Sequence, residues 1–339
     1  MNTRKWLEDT MRSDVKRGLP ILSFPCTSLM NITVRELIGD AGLMARGMKL
    51  VADRINSAAS VSMMDLSVEA EAFGAQVHFS DNEVPVVTGT LVRDEASLAA
   101  MREPRVGDGR TTTFIKSVEE ACKLITDRPV FAGAIGPFTL CGRLMGVSET
   151  MIKCVAQPQL VSNTIKKANP FLIEYIKAMK ETGAAGLIMA EPLTGLLSPK
   201  LAKQLSEPFV KEIVDAVQDE NFLIIYHNCG GAVPKMIDSV LATGAAGYHF
   251  GNAISMKDIL GRMPGDVAVM GNIDPSAYFC LGTPQEMHDA ALALLRECCP
   301  GHPNFVISSG CDMAAQAKWE NIDAFFAAID EYNAETAAH

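Results

Sequence analysis

The residues that could do chemistry in this 339-residue chain are concentrated in two short stretches. One reads His227-Asn228-Cys229 and is followed at once by Gly230-Gly231, and the other places Cys311 in SSGCDM. In an extended segment, side chains two apart point to the same side, so the imidazole and the thiol of the H-x-C unit can converge on one point. The glycines allow a sharp turn there without a Cβ penalty. One nitrogen and two sulfurs suit Zn2+, and three protein ligands with one exchangeable position is the catalytic zinc pattern. Taken alone, an H-x-C unit with a distant cysteine says little, because buried cysteine is also a common small hydrophobe. Core packing is the expectation for Cys122, Cys141, Cys154, Cys280, Cys298 and Cys299, which fall within apolar helices or strands.

Eight short apolar runs supply the elements that must position these residues: 19–25, 59–65, 129–138, 184–192, 221–229, 245–250, 267–274 and 304–311. Helix-like stretches such as NPFLIEYIKAMKETG and PQEMHDAALALLREC lie between them. The alternation implies a parallel sheet, and continuously apolar runs are what strands buried on both faces need. The expected fold is α/β, a single (β/α)8 TIM-type barrel spanning 1–339. It would have an N-terminal helix over 1–18 and an insertion after the second strand over 66–128, where QVHFSDNEVPVVTGTLV reads as a hairpin. An open doubly wound sheet has the same periodicity. In a barrel, chemistry belongs at the C-terminal strand ends, and polar residues gather there. Asp65 closes the second strand and Glu191 the fourth, as candidate catalytic carboxylates. His249 closes the sixth, while Asn272 and Asp274 at the seventh are candidate cofactor-binding residues. A closed barrel also brings Cys311, at the eighth strand end, within reach of His227 and Cys229. Cys26 ends the first strand and is expected to face the same mouth. His78, His288 and His302 are expected on the solvent side, and His339 is a terminal residue.

The bulk composition narrows the field. Hydrophobic residues make up 48% and charged residues 21%, a globular balance, and the net charge is −10. Without a basic run there is no footprint for nucleic acid or for an anionic membrane surface. The apolar stretches stop short of the roughly 20 residues that span a bilayer. The charged N-terminus MNTRKWLEDTMRSDVKRG has no secretory pattern, which points to the cytoplasm. There, nine cysteines are expected to be free thiols or metal ligands. A homodimer is compatible with the chain.

GPFTLCGRLMG (136–146), EPLTGLLSPKLAKQLSEPFVKEIV (191–214), MGNIDPSAYF (270–279) and SSGCDMAAQAKWENIDAFFAAID (308–330) resemble the uroporphyrinogen decarboxylase superfamily. Two departures separate the chain from the decarboxylases. Gly310-Cys311 stands where they carry Gly-His, and SFPCTSLMNITV replaces their RQAGR-type motif. The pattern is similar to the methylcobamide:coenzyme M methyltransferase branch. That resemblance implies His227, Cys229 and Cys311 as zinc ligands, a small thiol as acceptor and a methylcobalamin-type corrinoid as co-substrate. A separate corrinoid protein would carry the donor, since no D-x-H-x-x-G-type motif occurs here. In that branch a Glu after the sixth strand can also bind zinc. GYHFGNAISM has no such carboxylate, which leaves His249 or water for the fourth place. MMDLSVEAEAFGAQVHF, by contrast, resembles the decarboxylase segment with its catalytic aspartate, and Asp65 falls on that position. The alternatives are a cofactor-free decarboxylase centred on Asp65, acting on a tetrapyrrole or smaller acid, and a non-catalytic corrinoid- or thiol-binding protein.

Overall fold

A computed structural model describes residues 2–338, so His339 lies outside the described residues. Seven parallel strands form one curled sheet: β1 (Ser60–Val61), β4 (Val130–Ile135), β5 (Gly186–Ala190), β6 (Leu223–Asn228), β7 (Gly247–Phe250), β8 (Ala268–Ile273) and β9 (Phe305–Ser309). Each strand pairs with the next of the seven along the chain. Every residue of β4, β5, β6 and β8 is buried, as a sheet covered on both faces requires. The architecture is a TIM-type barrel.

The expected first strand, 19–25, is not a regular strand, yet the segment fills the gap between β9 and β1. Ala58 N–H donates to Gly18 O at 2.8 Å, and Leu19 N–H donates to Ile307 O at 2.9 Å. Pro20 and Pro25 have no N–H for a ladder, and side chains replace the missing bonds. Ile21 N–H donates to Ser309 Oγ at 3.0 Å, and Ser308 Oγ–H to Leu19 O at 2.7 Å.

The barrel interior is filled by Ile21, Val61, Phe131, Ile188, Leu223, Ile225, Met270 and Val306. Leu7 and Met11 of the helix Thr3–Arg12 join this cluster, and Thr3 Oγ1 donates to Asn221 O, just ahead of β6. That helix therefore plugs the N-terminal end of the barrel and leaves the C-terminal end as the mouth. A second, larger core lies between the strands and the helical shell.

The stretch 66–128 contains the helix Val68–Ala72, an antiparallel hairpin of β2 (Gln76–His78) and β3 (Val86–Thr88), and the helices Glu95–Ala100 and Thr111–Leu124. Leu91 N–H and Val92 N–H donate to Leu144 O, which ties this region to the helix Pro137–Met145 that follows β4. Among the described residues, no helix is long and apolar enough to cross a membrane.

Candidate metal centre

His227 and Asn228 end β6, and parallel pairing sets His227 beside Ala190 of β5 and His249 of β7. Cys229 continues from β6, and Cys311 follows β9 by two residues. The donor atoms of His227, Cys229 and Cys311 lie within 4.8 Å of one another, with Cys311 Sγ 3.5 Å from His227 Nε2. A tetrahedral zinc with bonds of about 2.0–2.3 Å separates its N and S ligands by about 3.6 Å. The donor set therefore fits zinc. His227 is buried, whereas both cysteines are half-buried toward the mouth. The Cys311 thiol, and His227 after it, hold Cys229 at about 4 against the opposing effect of burial. Cys311 is driven upward in turn, first by Cys229 and then by burial.

A chain of hydrogen bonds behind His227 sets its tautomer. Ser308 Oγ–H is committed to Leu19 O, so Ser308 Oγ accepts from His249 Nε2–H at 2.8 Å. His249 Nδ1 then accepts from His227 Nδ1–H at 2.7 Å. Burial, reinforced by His227, holds His249 well below the usual histidine range, in the neutral form this role requires. The lone pair of His227 is thereby left on Nε2, the atom that faces Cys311. His249, expected as a fourth ligand, has both ring nitrogens taken and is not part of the donor set.

Of the two glycines after Cys229, Gly230 acts by size rather than by turn conformation. Neither adopts positive φ. A Cβ on Gly230 would stand 2.5 Å from Gly195 Cα, and one on Gly251 would stand 2.6 Å from Cys229 Cβ. The loops after β5, β6 and β7 close over the site only because these positions lack side chains.

The other expected site residues have structural partners. Glu191 is fully buried, and both its oxygens accept at the start of the helix Pro137–Met145. Phe138 N–H donates to Oε1 at 2.8 Å, while Thr139 N–H and Thr139 Oγ1–H donate to Oε2 at 2.9 and 2.6 Å. Burial pushes Glu191 up to about 7, opposed by these donors. Asp65 has no exposed side-chain surface. Its Oδ1 accepts from Ser67 N–H and Oγ–H, and its Oδ2 meets Arg110 Nη1 at 2.5 Å. Asn272 Nδ2 donates to Gly251 O and Ile254 O, latching the loop after β7. Asp274 Oδ1 caps the turn of helix Pro275–Leu281, and its Oδ2 accepts from Asn252 Nδ2.

Cys26, expected to face the mouth, is fully buried against Gly47, and its thiol is pushed up to about 12 by burial. His288, expected toward solvent, is partly covered and lies 3.3 Å from Glu331. Sequence reasoning missed Arg110, Ser67 and Ser308, which hold the predicted residues in place. Spacing along the chain carries no signal for Arg110 and Ser308, which lie 45 and 59 residues from Asp65 and His249, whereas Ser67 is only two residues from Asp65.

A TIM-type barrel with one nitrogen and two sulfur donors at the ends of β6 and β9 defines a class of barrel with a metal-competent mouth. Residues 23–332 match the family model of uroporphyrinogen decarboxylase (URO-D), and the chain belongs to that family. It is similar to methylcobamide:CoM methyltransferase MtbA of Methanosarcina acetivorans, at 24% identity over 240 residues and 68% of each chain. It is also similar to the uroporphyrinogen decarboxylase of Desulfotalea psychrophila, at 27% identity over 231 residues and 66% of each chain. Among solved structures, a methyltransferase from Methanosarcina mazei shares the fold, with a TM-score of 0.85 at 21% identity. The match covers 98% of this chain and 99% of that one.

Proposed function

We propose that this protein is a zinc-dependent methyltransferase that moves a methyl group from a methylcorrinoid, carried by a separate protein, to a small thiol. The observation that carries this reading is the donor set of His227 Nε2, Cys229 Sγ and Cys311 Sγ, gathered within 4.8 Å. Its histidine is already held in the metal-binding tautomer. The MtbA relative supports the class of reaction.

Zinc held by these three residues would supply a Lewis acid able to lower the pKa of a coordinated thiol while leaving it nucleophilic. His227 and the two cysteines hold that position, and the half-burial of the cysteines keeps one side open to the mouth. The acceptor sulfur forms its bond to the methyl carbon as the carbon–cobalt bond breaks. The bonding pair stays on cobalt as Co(I), and the thiol proton leaves to solvent. A partner protein docked over the C-terminal strand ends would bring the methyl group in line and shed water.

The structure also bears on the decarboxylase alternative. Asp65 is buried, and its oxygens accept from Ser67 and Arg110, which weighs against a carboxylate presented freely to a substrate. The deciding experiment incubates the protein with methylcobalamin plus several small thiols, and separately with uroporphyrinogen, each with and without a chelator. Methyl transfer that the chelator abolishes is expected, with about one zinc per chain by elemental analysis. Cys229→Ala and Cys311→Ala should each lose the zinc. Consumption of uroporphyrinogen alone, or unchanged zinc and activity in either variant, would overturn the proposal. Stoichiometric zinc without transfer to any thiol would mark a binding protein instead.

A further inference from the structure

The chain carries nine free cysteines, and their surroundings separate two of them from the rest. Burial pushes the thiols of Cys26 and Cys298 up to about 12, and those of Cys122 and Cys154 up to about 11. Cys141, Cys280 and Cys299 are raised for the same reason. Thiols held in this way react slowly, because oxidation and exchange follow thiolate character and exposure. Cys298 and Cys299 are also neighbours in the chain, where Cα atoms stand about 3.8 Å apart, closer than the roughly 4.4 Å that a disulfide needs.

Cys229 and Cys311 differ in three respects. Their sulfurs lie within 4.8 Å, and each is a hydrogen-bonding partner of the other. Both residues are half-buried toward the mouth, where a small oxidant can reach them. They also come from different strand ends that one loop holds together. The loop after β7 meets Cys229 at Gly251, and a Cβ on Gly310 would stand 2.8 Å from Asn252 N of that same loop. A disulfide bond is about 2.05 Å long, so the sulfurs need to close a gap of about 2.7 Å at most, shared between two rotating side chains.

We infer that Cys229 and Cys311 are also a redox pair, which closes as a disulfide in the zinc-free protein and thereby sets whether the centre can take up metal. The oxidant is a small organic disulfide, RSSR. The sulfur of one cysteine attacks RSSR, forming a mixed disulfide and releasing the first RSH. The second cysteine attacks the protein sulfur of that mixed disulfide and releases the second RSH. The two cysteines lose two electrons and two protons, and RSSR gains both. Closure leaves His227 as the one usable donor, whereas zinc bound to both sulfurs blocks the exchange. Excess RSH runs the steps backward and reopens the site. The redox pair rests only on the placement of the two sulfurs. That RSH is the methyl acceptor, so that metal loading follows the ratio of acceptor thiol to its disulfide, rests on the function proposed above.

The test compares zinc-loaded protein with protein stripped by a chelator under reduction. Each is exposed to 2-hydroxyethyl disulfide, then read by thiol titration and by mass mapping of alkylated peptides. The stripped protein should lose two of its nine thiols, with a single crosslink from Cys229 to Cys311, while the zinc-loaded protein should keep all nine. The crosslinked protein should take up no zinc in competition with a chelating dye until excess 2-mercaptoethanol restores both thiols. Cys311→Ser should abolish the crosslink and leave a mixed disulfide on Cys229. Retention of all nine thiols by the stripped protein would overturn the inference. So would a crosslink through any other cysteine, or zinc uptake by the crosslinked protein. These readouts use the wild-type chain and stand even where Cys311→Ser fails to fold. None needs turnover, so the two proposals fail separately. Crosslinking without methyl transfer removes the proposed reaction and leaves the redox pair, whereas methyl transfer without crosslinking does the reverse.

Discussion

The two sides of the barrel mouth handle buried polarity in opposite ways. On the β6–β9 side, neutral groups are chained one to the next, from Leu19 O through Ser308 and His249 to His227, and the chain ends in a lone pair beside two sulfurs. On the β1–β5 side, full charges are packed together. Asp65, Glu71 and Arg110 interlock through Ser67, with Phe79 and Phe114 lying against the guanidinium. A metal donor must be held in place without having its donor atom used up, so its restraint has to come from behind. The carboxylates are held through their oxygens, the very atoms chemistry would need. That contrast favours the H-x-C unit over a strand-end carboxylate as the seat of the proposed chemistry.

The largest effect should come from breaking the charged side. Arg110→Met removes the partner of a carboxylate with no exposed side-chain surface, and stranding one member of a buried pair costs about 3 kcal/mol or more. Urea unfolding should show the loss, while zinc content should stay near one per chain. An unchanged urea midpoint would mean that Asp65 is not held as described, and lost zinc would mean that the two sides are coupled.

The next effect probes the neutral chain. His249→Ala removes the acceptor behind His227 Nδ1, and losses of this kind weaken metal binding by roughly 10–100-fold. Competition with a zinc-chelating dye reads the affinity directly. Nitrogen NMR of the wild-type protein should show His227 protonated at Nδ1, and in His249→Ala that single tautomer should be lost. Weaker binding with the tautomer retained would reduce His249 to a packing residue.

The barrel, the donor set and the hairpin were legible in the sequence because each rests on a local pattern. Apolar runs mark buried strands, and His227 and Cys229 share one strand end. The first strand was misread because 19–25 is as apolar as a strand, while Pro20 and Pro25 remove the N–H groups a ladder needs. The roles of Glu191, Asp274 and His249 were out of reach for a different reason. A polar residue at a strand end looks the same whether it faces a substrate or satisfies a neighbouring loop. The deciding partners, Thr139, Asn252 and Ser308, are 52, 22 and 59 residues away in the chain.

The smallest effect separates the two sides by pH. Glu69 lies fully buried beside the charged cluster. Its Oε1 accepts from Ile135 N–H at 3.0 Å, while its Oε2 has no partner. Burial is the main cause that pushes it up to about 7, and the Asp65 charge adds to the rise. A carboxyl raised in the folded state contributes stability that is fully present below its unfolded value near 4.5 and is lost as pH rises through 7. Between pH 5 and 8 the wild-type protein should therefore lose roughly 1–2 kcal/mol on account of this one group, an allowance that includes relaxation of its surroundings. Glu69→Gln keeps an acceptor for Ile135 N–H and removes the titration. Its denaturation midpoint should equal that of the wild type near pH 5 and exceed it near pH 8. Parallel curves for the two proteins across that range would show that Glu69 stays ionised, and would make the charged side more tolerant of unpaired acid than its packing implies.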